Sequence, residues 1–407
     1  MKRVKPMRGF TLLEVMIASA LLAVIIGAAM GAFVSTTAST NQAYAVANTQ
    51  NDARLTLDAL ASDLRIAGLG ASNGTIGIAP GGLWPMRVPT IYTTVTSGLT
   101  DPNGNPLTNM TSIYIVGAEP GTVGADASGQ GVEGVIIDPT KAIIRCSTGI
   151  TNVDCKNAAL GTDGIDHTLL VSNGAIGFSP IMLHDHQRAS IISPTAVTGT
   201  VGAQTIIYSE SSGSVVPSPD PTAPFGFAQG FQVSRLRVVH WYLKQDPGQL
   251  PRIYRSRPTL TTAGDFTTGC KAPFVDETNG GTVKGAEMGT GPVEALQASF
   301  VFDFAGIDDP TQYTAQTSVN PCDPNVLANM RQLREVRVQL VAIAPTQLKD
   351  GQNKPIARFT TPTFEGNTFS TVPDAYPRRA YVTRVAPRNF VPYRSATGSG
   401  AGTGGGS

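Results

Sequence analysis

The hydrophobic pattern of the chain is dominated by one long segment near its start. From Phe10 to Val34 there are 25 residues and a single charge, Glu14. A membrane-crossing helix needs about 20 apolar residues, each adding about 1.5 Å, so this segment is long enough to span a bilayer. Four cations and no acid precede it, which predicts a cytoplasmic N-terminus with the rest of the chain on the other side: Lys2, Arg3, Lys5 and Arg8.

A helical pattern continues beyond this segment. There is no proline between Ser35 and Ala67. Arg54 and Asp58, spaced i,i+4, are expected on the solvated side, and Gly68-Leu69-Gly70 is a good helix stop. We expect one helix of about 85 Å, with a transmembrane or filament-core half at 10–34 and an amphipathic half at 35–68. The apolar stripe of the second half contains Leu57, Leu60, Ala61 and Leu64.

Beyond residue 69 the pattern changes to short β-branched runs and alternating polarity, which indicates β-strands. Runs at 112–116, 135–137, 142–145, 168–172 and 205–209 are bounded by turn residues, and a proline-rich surface loop is expected at 211–224. Residues 233–244 and 250–257 predict a hairpin around Asp246-Pro247-Gly248.

Strict alternation at 296–304 predicts a strand with one buried face, and residues 336–342 show the same pattern. A last strand is expected at 381–385. The predicted fold is α+β: a globular domain at 69–394, with an antiparallel sheet and large loops, packs on the second half of the helix. A disordered Gly/Ser tail is expected at 395–407.

Composition and charge agree with an extracytoplasmic β-rich domain. Charged residues make up only 14%, with 44 glycines and 29 prolines. Without the first nine residues the chain has 26 basic and 29 acidic side chains, so its global charge does not favour nucleic-acid binding. An even number of cysteines predicts disulfides, with three connectivities open, and no Cys-x-x-Cys spacing favours zinc: Cys146, Cys155, Cys270 and Cys322.

Glu14 is the unusual residue of the first segment. A carboxylate inside a membrane span costs roughly 2.5–3.5 kcal/mol, so it needs a partner. A cut after Gly9 would create a free amine at Phe10, and a neighbouring copy could present that amine to the carboxylate. Neither an ordinary secretory signal nor a plain membrane anchor explains this acid. Gly27 and Gly31 form a GxxxG pair that allows close helix packing, although glycine is also simply common in membrane helices.

The stretch Gly9-Phe10-Thr11-Leu12-Leu13-Glu14 resembles the type IV prepilin signal. In that family a membrane peptidase cuts after the glycine and methylates the new N-terminal phenylalanine, and the glutamate pairs with an N-terminal amine during assembly. The resemblance gives these roles to Gly9, Phe10 and Glu14. It implies four kinds of partner: prepilin peptidase, the inner membrane, the pilus assembly platform, and other minor and major pilins.

The order of the later elements resembles the PilW-like minor pilins. The resemblance rests on 64–68, 250–257, 293–297 and 378–389. It implies a minor pilin that helps initiate or cap a type IV pilus at its tip and so supports twitching motility. The chain would first be a single-pass inner-membrane protein with a periplasmic domain, and would then lie on the pilus. A minor pseudopilin of type II secretion, or a tip adhesin using the insertions at 71–134 and 259–292, are the alternatives.

The sequence offers little for catalysis or cofactor binding. His184-Asp185-His186, with Asp166-His167, has metal-ligand character, but two histidines do not make a site and surface histidines are favoured. His240 is expected to be packed or hydrogen-bonded. Residues 101–105 and 163–166 resemble calcium loops but lack the closing glutamate, so Asx turns are favoured. We predict no enzyme, no cofactor and no metal site.

Several arginines near the end of the chain are interleaved with aromatic residues. Such a stretch can bind DNA, or it can be a solvated edge strand whose charges prevent aggregation. The edge strand is the favoured interpretation, and binding of DNA or another surface ligand is an alternative without further support. The arginines are Arg378, Arg379, Arg384, Arg388 and Arg394.

Overall fold

The structure is a computed structural model, and the fold is described for the following residues: 11–71, 74–78, 86–118, 132–138, 141–146, 181–184, 189–192, 194–200, 203–208, 231–260, 274–276, 278–279, 282–283, 285–287, 291–305, 309–320, 323–345, 347, 354–355, 359–360, 362–365 and 373–387.

One helix, α1, runs from Leu12 to Arg65. Its 54 residues correspond to about 80 Å. Thr11 is the N-cap and forms a capping box with Glu14. After Arg65 the chain leaves the helix through turns in which Gly68 and Gly70 adopt φ of 70° and 81°, a region that favours glycine. The predicted continuous helix and its glycine stop are confirmed, while the expected boundary at Val34 stays a prediction.

Twenty-one strands and a second short helix, α2 (Pro324–Asn329), follow in the described part of the chain; turns of 3₁₀ helix cover Pro310–Gln312 and Met330–Gln332. The strands are β1 Thr75–Ile78, β2 Met86–Pro89, β3 Ile91–Thr96, β4 Met110–Ala118, β5 Val132–Asp138, β6 Lys141–Cys146, β7 Ile181–His184, β8 Ala189–Ile192, β9 Pro194–Thr200, β10 Ala203–Tyr208, β11 Phe231–Lys244, β12 Arg252–Ser256, β13 Thr259–Leu260, β14 Phe274–Val275, β15 Thr278–Asn279, β16 Thr282–Val283, β17 Gly285–Glu287, β18 Val293–Phe302, β19 Thr314–Gln316, β20 Leu333–Ile343 and β21 Arg378–Val385.

Strand β11 organises the largest sheet, which has thirteen described strands. Its first half pairs with β5 and β7, and its second half pairs with β4 and β12. The described pairings are antiparallel, except that β1 and β8 run parallel. The predicted hairpin is present as β11 and β12, with Gly248 in the turn at φ 73°.

A second sheet has the strand order β19-β18-β20-β21 and packs against α1 through β20 and β21. Leu57, Leu60 and Leu64 of the helix belong to one core cluster that also includes β18 and β20 side chains. The predicted α+β arrangement, a long apolar helix followed by antiparallel sheets, is therefore confirmed. The last strand is also confirmed, although it begins at Arg378 and not at Tyr381.

The prediction of a single buried face at residues 296–304 is wrong. Strand β18 is buried along its whole length and ends at Phe302, and Phe304 is partly exposed. The strand contacts β4, β11 and β12 of the large sheet in addition to its own neighbours. Gln297 Nε2, for example, donates to the Asn109 carbonyl at 2.6 Å. The alternation of apolar and polar residues therefore does not indicate solvent exposure in this strand, because both faces of β18 are covered.

The other predicted strands divide into two groups. Those at 112–116, 135–137, 142–145 and 205–209 correspond to β4, β5, β6 and β10. The strand expected at 168–172, the loop at 211–224 and the tail at 395–407 lie outside the described residues.

Candidate functional site: the exposed helix and its seat in the domain

The first half of α1 makes no core with the rest of the chain. From Leu12 to Asn41 every residue whose burial is described is exposed. We call this part, residues 12–41, the stalk. It is long and apolar enough to cross a membrane. Because soluble monomers rarely expose an apolar surface of this size, the stalk is a surface for lipid or for other chains.

The stalk presents two features predicted to act in assembly. Side chains added at Gly27 or Gly31 would find nothing within 4 Å, so this small-residue face is open to close approach by another helix. Glu14 Oε2 accepts hydrogen bonds from the Thr11 amide at 2.9 Å and the Thr11 hydroxyl at 3.1 Å. In the single chain the carboxylate thus caps its own helix. Gly9 and Phe10 lie outside the described residues.

The second half of α1 is seated in the domain. We call this part, residues 49–65, the seat. Its exposed side carries Arg54 and Asp58, as predicted. Arg54 and Arg379 each lie over the ring of Tyr381 on β21, at 5.8 and 5.9 Å from its centroid. The buried side is the predicted apolar stripe extended by one residue: Ala53, Leu57, Leu60, Ala61 and Leu64.

Asp63 is buried within the seat and was missed by the sequence analysis. Its carboxylate accepts hydrogen bonds from Arg237 Nη2 at 2.5 Å, Trp241 Nε1 at 2.9 Å, and Arg255 Nε and Nη2 at 2.8 and 3.1 Å. Arg237 and Trp241 are on β11, and Arg255 pairs with Trp241 across the hairpin. One acid therefore ties the helix to both strands of the hairpin. An acid next to Leu64 in an apolar stripe was the signal available in the sequence.

Two glycines allow the backbone to approach the helix closely at either end of the seat. A Cβ at Gly291 would lie 3.1 Å from Thr49 Cα, at the point where the helix leaves the domain. A Cβ at Gly117 would lie 3.2 Å from the Leu69 amide nitrogen, just after the helix ends. The amide of Gly68 also donates to the Val116 carbonyl at 3.1 Å. The helix is thus held at both ends of its seat by backbone contacts.

A cleft of about 640 Å³ opens beside the helix where the seat begins. Asn48 and Asp52 of the helix form one wall, and the hairpin turn around Gly248 forms another. Asp101 lies in the loop that completes the cleft. Its Oδ1 accepts the amides of Asn103 and Asn105 at 2.9 and 2.8 Å, so the predicted Asx turn is confirmed. The second calcium-like stretch, 163–166, lies outside the described residues.

The histidine predictions have different outcomes. His240 is packed, as predicted: its ring stacks on Tyr114 and Tyr242, with centroids 3.8 and 4.7 Å away. Its Nδ1 lies 2.8 Å from Asp276 Oδ2. Burial alone would raise the pKa of Asp276, but hydrogen bonds from His240 and Ser256 and the attraction of His240 keep that pKa below its usual range.

His184 is not the surface histidine that was expected. It is buried, and its Nε2 lies 2.8 Å from the Ser234 hydroxyl, because β7 pairs with β11 at this position. Asp185, His186 and the Asp166-His167 pair lie outside the described residues. No group of three or more metal-ligating side chains occurs in the described part of the chain.

The arginine stretch is an edge strand, but its first arginine is not solvated. Strand β21 pairs with β20 at the end of its sheet, and Arg384 is 70% exposed. Arg378, in contrast, is buried between Glu294 and Asp374, donating from Nη2 to Glu294 Oε1 at 2.8 Å and Asp374 Oδ2 at 2.6 Å. The solvated interpretation is thus wrong for Arg378, because two buried carboxylates require its charge. Arg388 and Arg394 lie outside the described residues.

The predicted disulfides stay a prediction. Cys146 ends strand β6, and nothing is described of its side chain. The other three cysteines lie outside the described residues: Cys155, Cys270 and Cys322.

Comparisons with known proteins give two family matches, each over part of the chain. The prokaryotic N-terminal methylation motif matches residues 5–30, and the family of type IV pilus-assembly protein W, PilW, matches residues 240–389. A solved structure of a type IV-like pilin from Thermus thermophilus is 11% identical, covers 52% of this chain and 85% of that chain, and has a TM-score of 0.19. A comparison with curated proteins gives no match. The first match covers residues 12–30 of the stalk, and the second covers the paired part of the hairpin and the four-stranded sheet. In these parts the chain is similar to PilW-family pilins.

Proposed function

We propose that this chain, a type IV pilin-like protein with a prepilin methylation motif and a PilW domain, is a minor pilin that acts at the tip of a pilus. Prepilin peptidase cuts it after Gly9 and methylates Phe10. The chain then moves from the inner membrane into the pilus, with its domain on the periplasmic side before assembly. Its role is assembly and not catalysis.

One observation carries this proposal. The methylation motif matches residues 5–30, which include most of the stalk, and the stalk is not covered by the described residues of its own domain. An uncovered apolar segment needs lipid around it before assembly and other helices around it afterwards. Pilus assembly moves such a segment from the bilayer into a bundle of helices. The PilW match at 240–389 favours a pilus over the secretion alternative.

The size of the domain supports the proposed tip position. The chain has 407 residues, and the seat holds the stalk on a domain with two large sheets. A subunit repeated along the whole shaft would have to fit this volume at every step of the filament. A few copies at the end of the filament do not have that constraint.

The experiment is mass spectrometry of the mature N-terminus, combined with pilus shearing. We expect the mature chain to begin with N-methylated Phe10 and the wild-type chain to be present in sheared pili. Glu14→Ala is expected to leave the domain folded but to remove the chain from the pili, and Gly9→Ala is expected to block cleavage. Asp58→Ala changes an exposed acid on the same helix and serves as the control.

Two outcomes would contradict the proposal. One is a mature chain that begins at Met1 or beyond Val34. The other is normal piliation and twitching in the Glu14→Ala strain. Loss of protein secretion with intact pili after deletion of the gene would favour a secretion pseudopilin.

A further inference from the structure

The cleft beside the start of the seat has the size of a small-molecule site. We call it the seat cleft, and its main walls are residues 45–52 of α1, the loop at 100–104 and the hairpin turn at 245–252. Its volume of about 640 Å³ lies within the range of about 300–1,000 Å³ that is usual for ligand pockets. Every residue of its lining belongs to the described part of the chain. The seat cleft is therefore a candidate binding site, separate from the stalk.

The walls of the seat cleft are joined to one another within the chain. Gln245 Oε1 accepts the Thr100 amide at 2.7 Å, and Gln245 Nε2 donates to the Gln249 carbonyl at 2.9 Å. One side chain thus ties the loop to the hairpin turn, and the Asx turn of Asp101 folds the loop itself. A site whose walls are already fixed loses little freedom when a ligand binds.

The charges of the lining favour a neutral ligand. The charged residues are Asp52, Asp101 and Arg252. Asp101 is buried, and its two oxygens accept three hydrogen bonds within its own loop. Asp52 and Arg252 also have interactions within the chain. With one cation against two acids, all of them already engaged, the lining is poorly suited to an anion or to a metal ion.

Three other polar groups of the lining are uncommitted. Asn48 and Gln249 contribute side-chain amides, and Tyr376 contributes a phenol hydroxyl. These groups make no hydrogen bond with the described residues. Amides and hydroxyls together offer both donors and acceptors. An apolar ligand would desolvate them without replacing their hydrogen bonds with water, which costs free energy. A ligand rich in hydroxyl groups, which also donate and accept, pairs with all three.

We propose that the seat cleft binds a neutral saccharide. An extended peptide fits less well, because peptides usually bind through backbone groups at the open edge of a sheet. In two walls of the cleft the backbone is already paired. The amide of Gly104 donates to the Asp101 carbonyl at 3.0 Å, and the amide of Gln249 donates to the Asp246 carbonyl at 3.0 Å. The groups offered to a ligand are therefore side chains around a compact space.

Saccharide binding adds a second activity to the proposed role in assembly. A subunit at the tip of a pilus that holds a saccharide attaches the pilus to a surface that carries such groups. The binding itself does not depend on the tip position, so the two proposals are tested separately.

The experiment uses the full-length chain in a detergent without a sugar headgroup. The chain is applied to an array of neutral mono-, di- and trisaccharides, and titration calorimetry gives the dissociation constant of those that bind. We expect Asn48→Leu and Gln249→Leu each to weaken binding by at least about tenfold, because each removes an amide that pairs with the ligand. Asn51→Leu changes an exposed asparagine of the same helix outside the cleft, and it should leave binding unchanged.

Filling the cleft gives a second measurement. Ala45→Trp places a large ring in the lining and is expected to abolish binding. Ala43→Trp adds the same ring to an exposed position of the helix outside the lining and is the matched control. The free energy of unfolding is measured for each variant, and we expect all of them to remain folded. Asn48→Leu is expected to enter sheared pili at the wild-type level.

Three results would overturn the inference. The first is that no saccharide of the array binds. The second is binding that Asn48→Leu and Asn51→Leu change equally, or that Ala45→Trp does not change. The third is a photo-crosslinking amino acid at position 48 that captures a segment of another pilin in assembled pili, which would assign the cleft to an assembly contact. Loss of Glu14→Ala from pili in any of these cases would leave the proposed function standing.

Discussion

The two halves of α1 share one continuous backbone but have opposite surroundings. The stalk is apolar and exposed, whereas the seat buries one side, which includes Asp63 with its two arginine partners on the hairpin. In a soluble monomer an apolar surface as long as the stalk would be covered, as the apolar side of the seat is. The contrast teaches that one helix can serve two kinds of contact. The stalk is shaped for partners outside the chain, and the seat is shaped for its own domain.

The largest effect on stability is expected from substitution of Asp63, because the seat contains this buried carboxylate and the stalk contains none among its described residues. Asp63→Ala leaves Arg237, Arg255 and the Trp241 indole without their shared acceptor in a mostly buried place. Removing one member of a buried ionic group costs about 3–5 kcal/mol. We expect the free energy of unfolding to fall by about that amount, measured by denaturant titration of the full-length chain in detergent.

The control for Asp63 is an acid on the exposed side of the same seat. Asp58→Ala is expected to change the free energy of unfolding by less than about 0.5 kcal/mol. Equal effects of the two substitutions would show that Asp63 does not hold the helix in its seat. Asp63→Asn keeps the shape of the side chain and one acceptor oxygen. Its loss in free energy of unfolding should lie between the losses for Asp63→Ala and Asp58→Ala.

Substitutions of two glycines by alanine should affect the seat and the stalk differently, because only the seat is in close backbone contact with the domain. Gly291→Ala places a Cβ 3.1 Å from the Thr49 backbone, so the domain is expected to lose about 1–3 kcal/mol by overpacking. Gly31→Ala meets nothing within 4 Å and should not destabilise the domain, since alanine favours the helix by about 1 kcal/mol. The order of the two effects on incorporation into pili should be reversed if, as the proposed function requires, another helix packs against Gly31. Denaturant titration and pilus shearing measure the two effects.

A smaller effect is expected from alkaline pH, and it concerns only the domain. Burial, with a contribution from the charge of Asp276, raises the pKa of Tyr242 to about 12. A group with a raised folded-state pKa stabilises the fold fully below its unfolded value, here about 10. That stability is lost as pH rises from about 10 to about 12. The helical signal of the stalk should persist in this range, while the domain becomes less resistant to denaturant.

The matching substitution is Tyr242→Phe. The Tyr242 hydroxyl forms no hydrogen bond with a described residue, so its removal should change the free energy of unfolding little at neutral pH. We expect the variant to lose less stability than the wild type between about pH 10 and 12. Tyr44→Phe, on the exposed side of the helix, is the control and should follow the wild type. Identical alkaline curves for all three proteins would show that Tyr242 is not responsible.

Much of the fold and of the stalk was predictable because the signals are local. The long apolar run, the glycine stop after Arg65 and the hairpin turn at residues 246–248 are each set by a few neighbouring residues. The assembly role of Glu14 stays a prediction, and its hydrogen bonds with Thr11 are equally local. Three of the four short phrases that carry the PilW resemblance lie within the match at 240–389, and the phrase at 64–68 lies outside it.

The sequence by itself determined which half of the helix is apolar, where the helix stops and where the longest strands lie, since these depend on spacing along the chain. Only the tertiary structure decided which charges are buried. Asp63 finds Arg237 and Arg255 more than 170 positions away, and Arg378 finds Glu294 across the sheet. In the tertiary structure, both faces of β18 are also buried, whereas Leu55 is exposed. Burial depends on what packs from outside a segment, and polarity patterns within the segment do not record it.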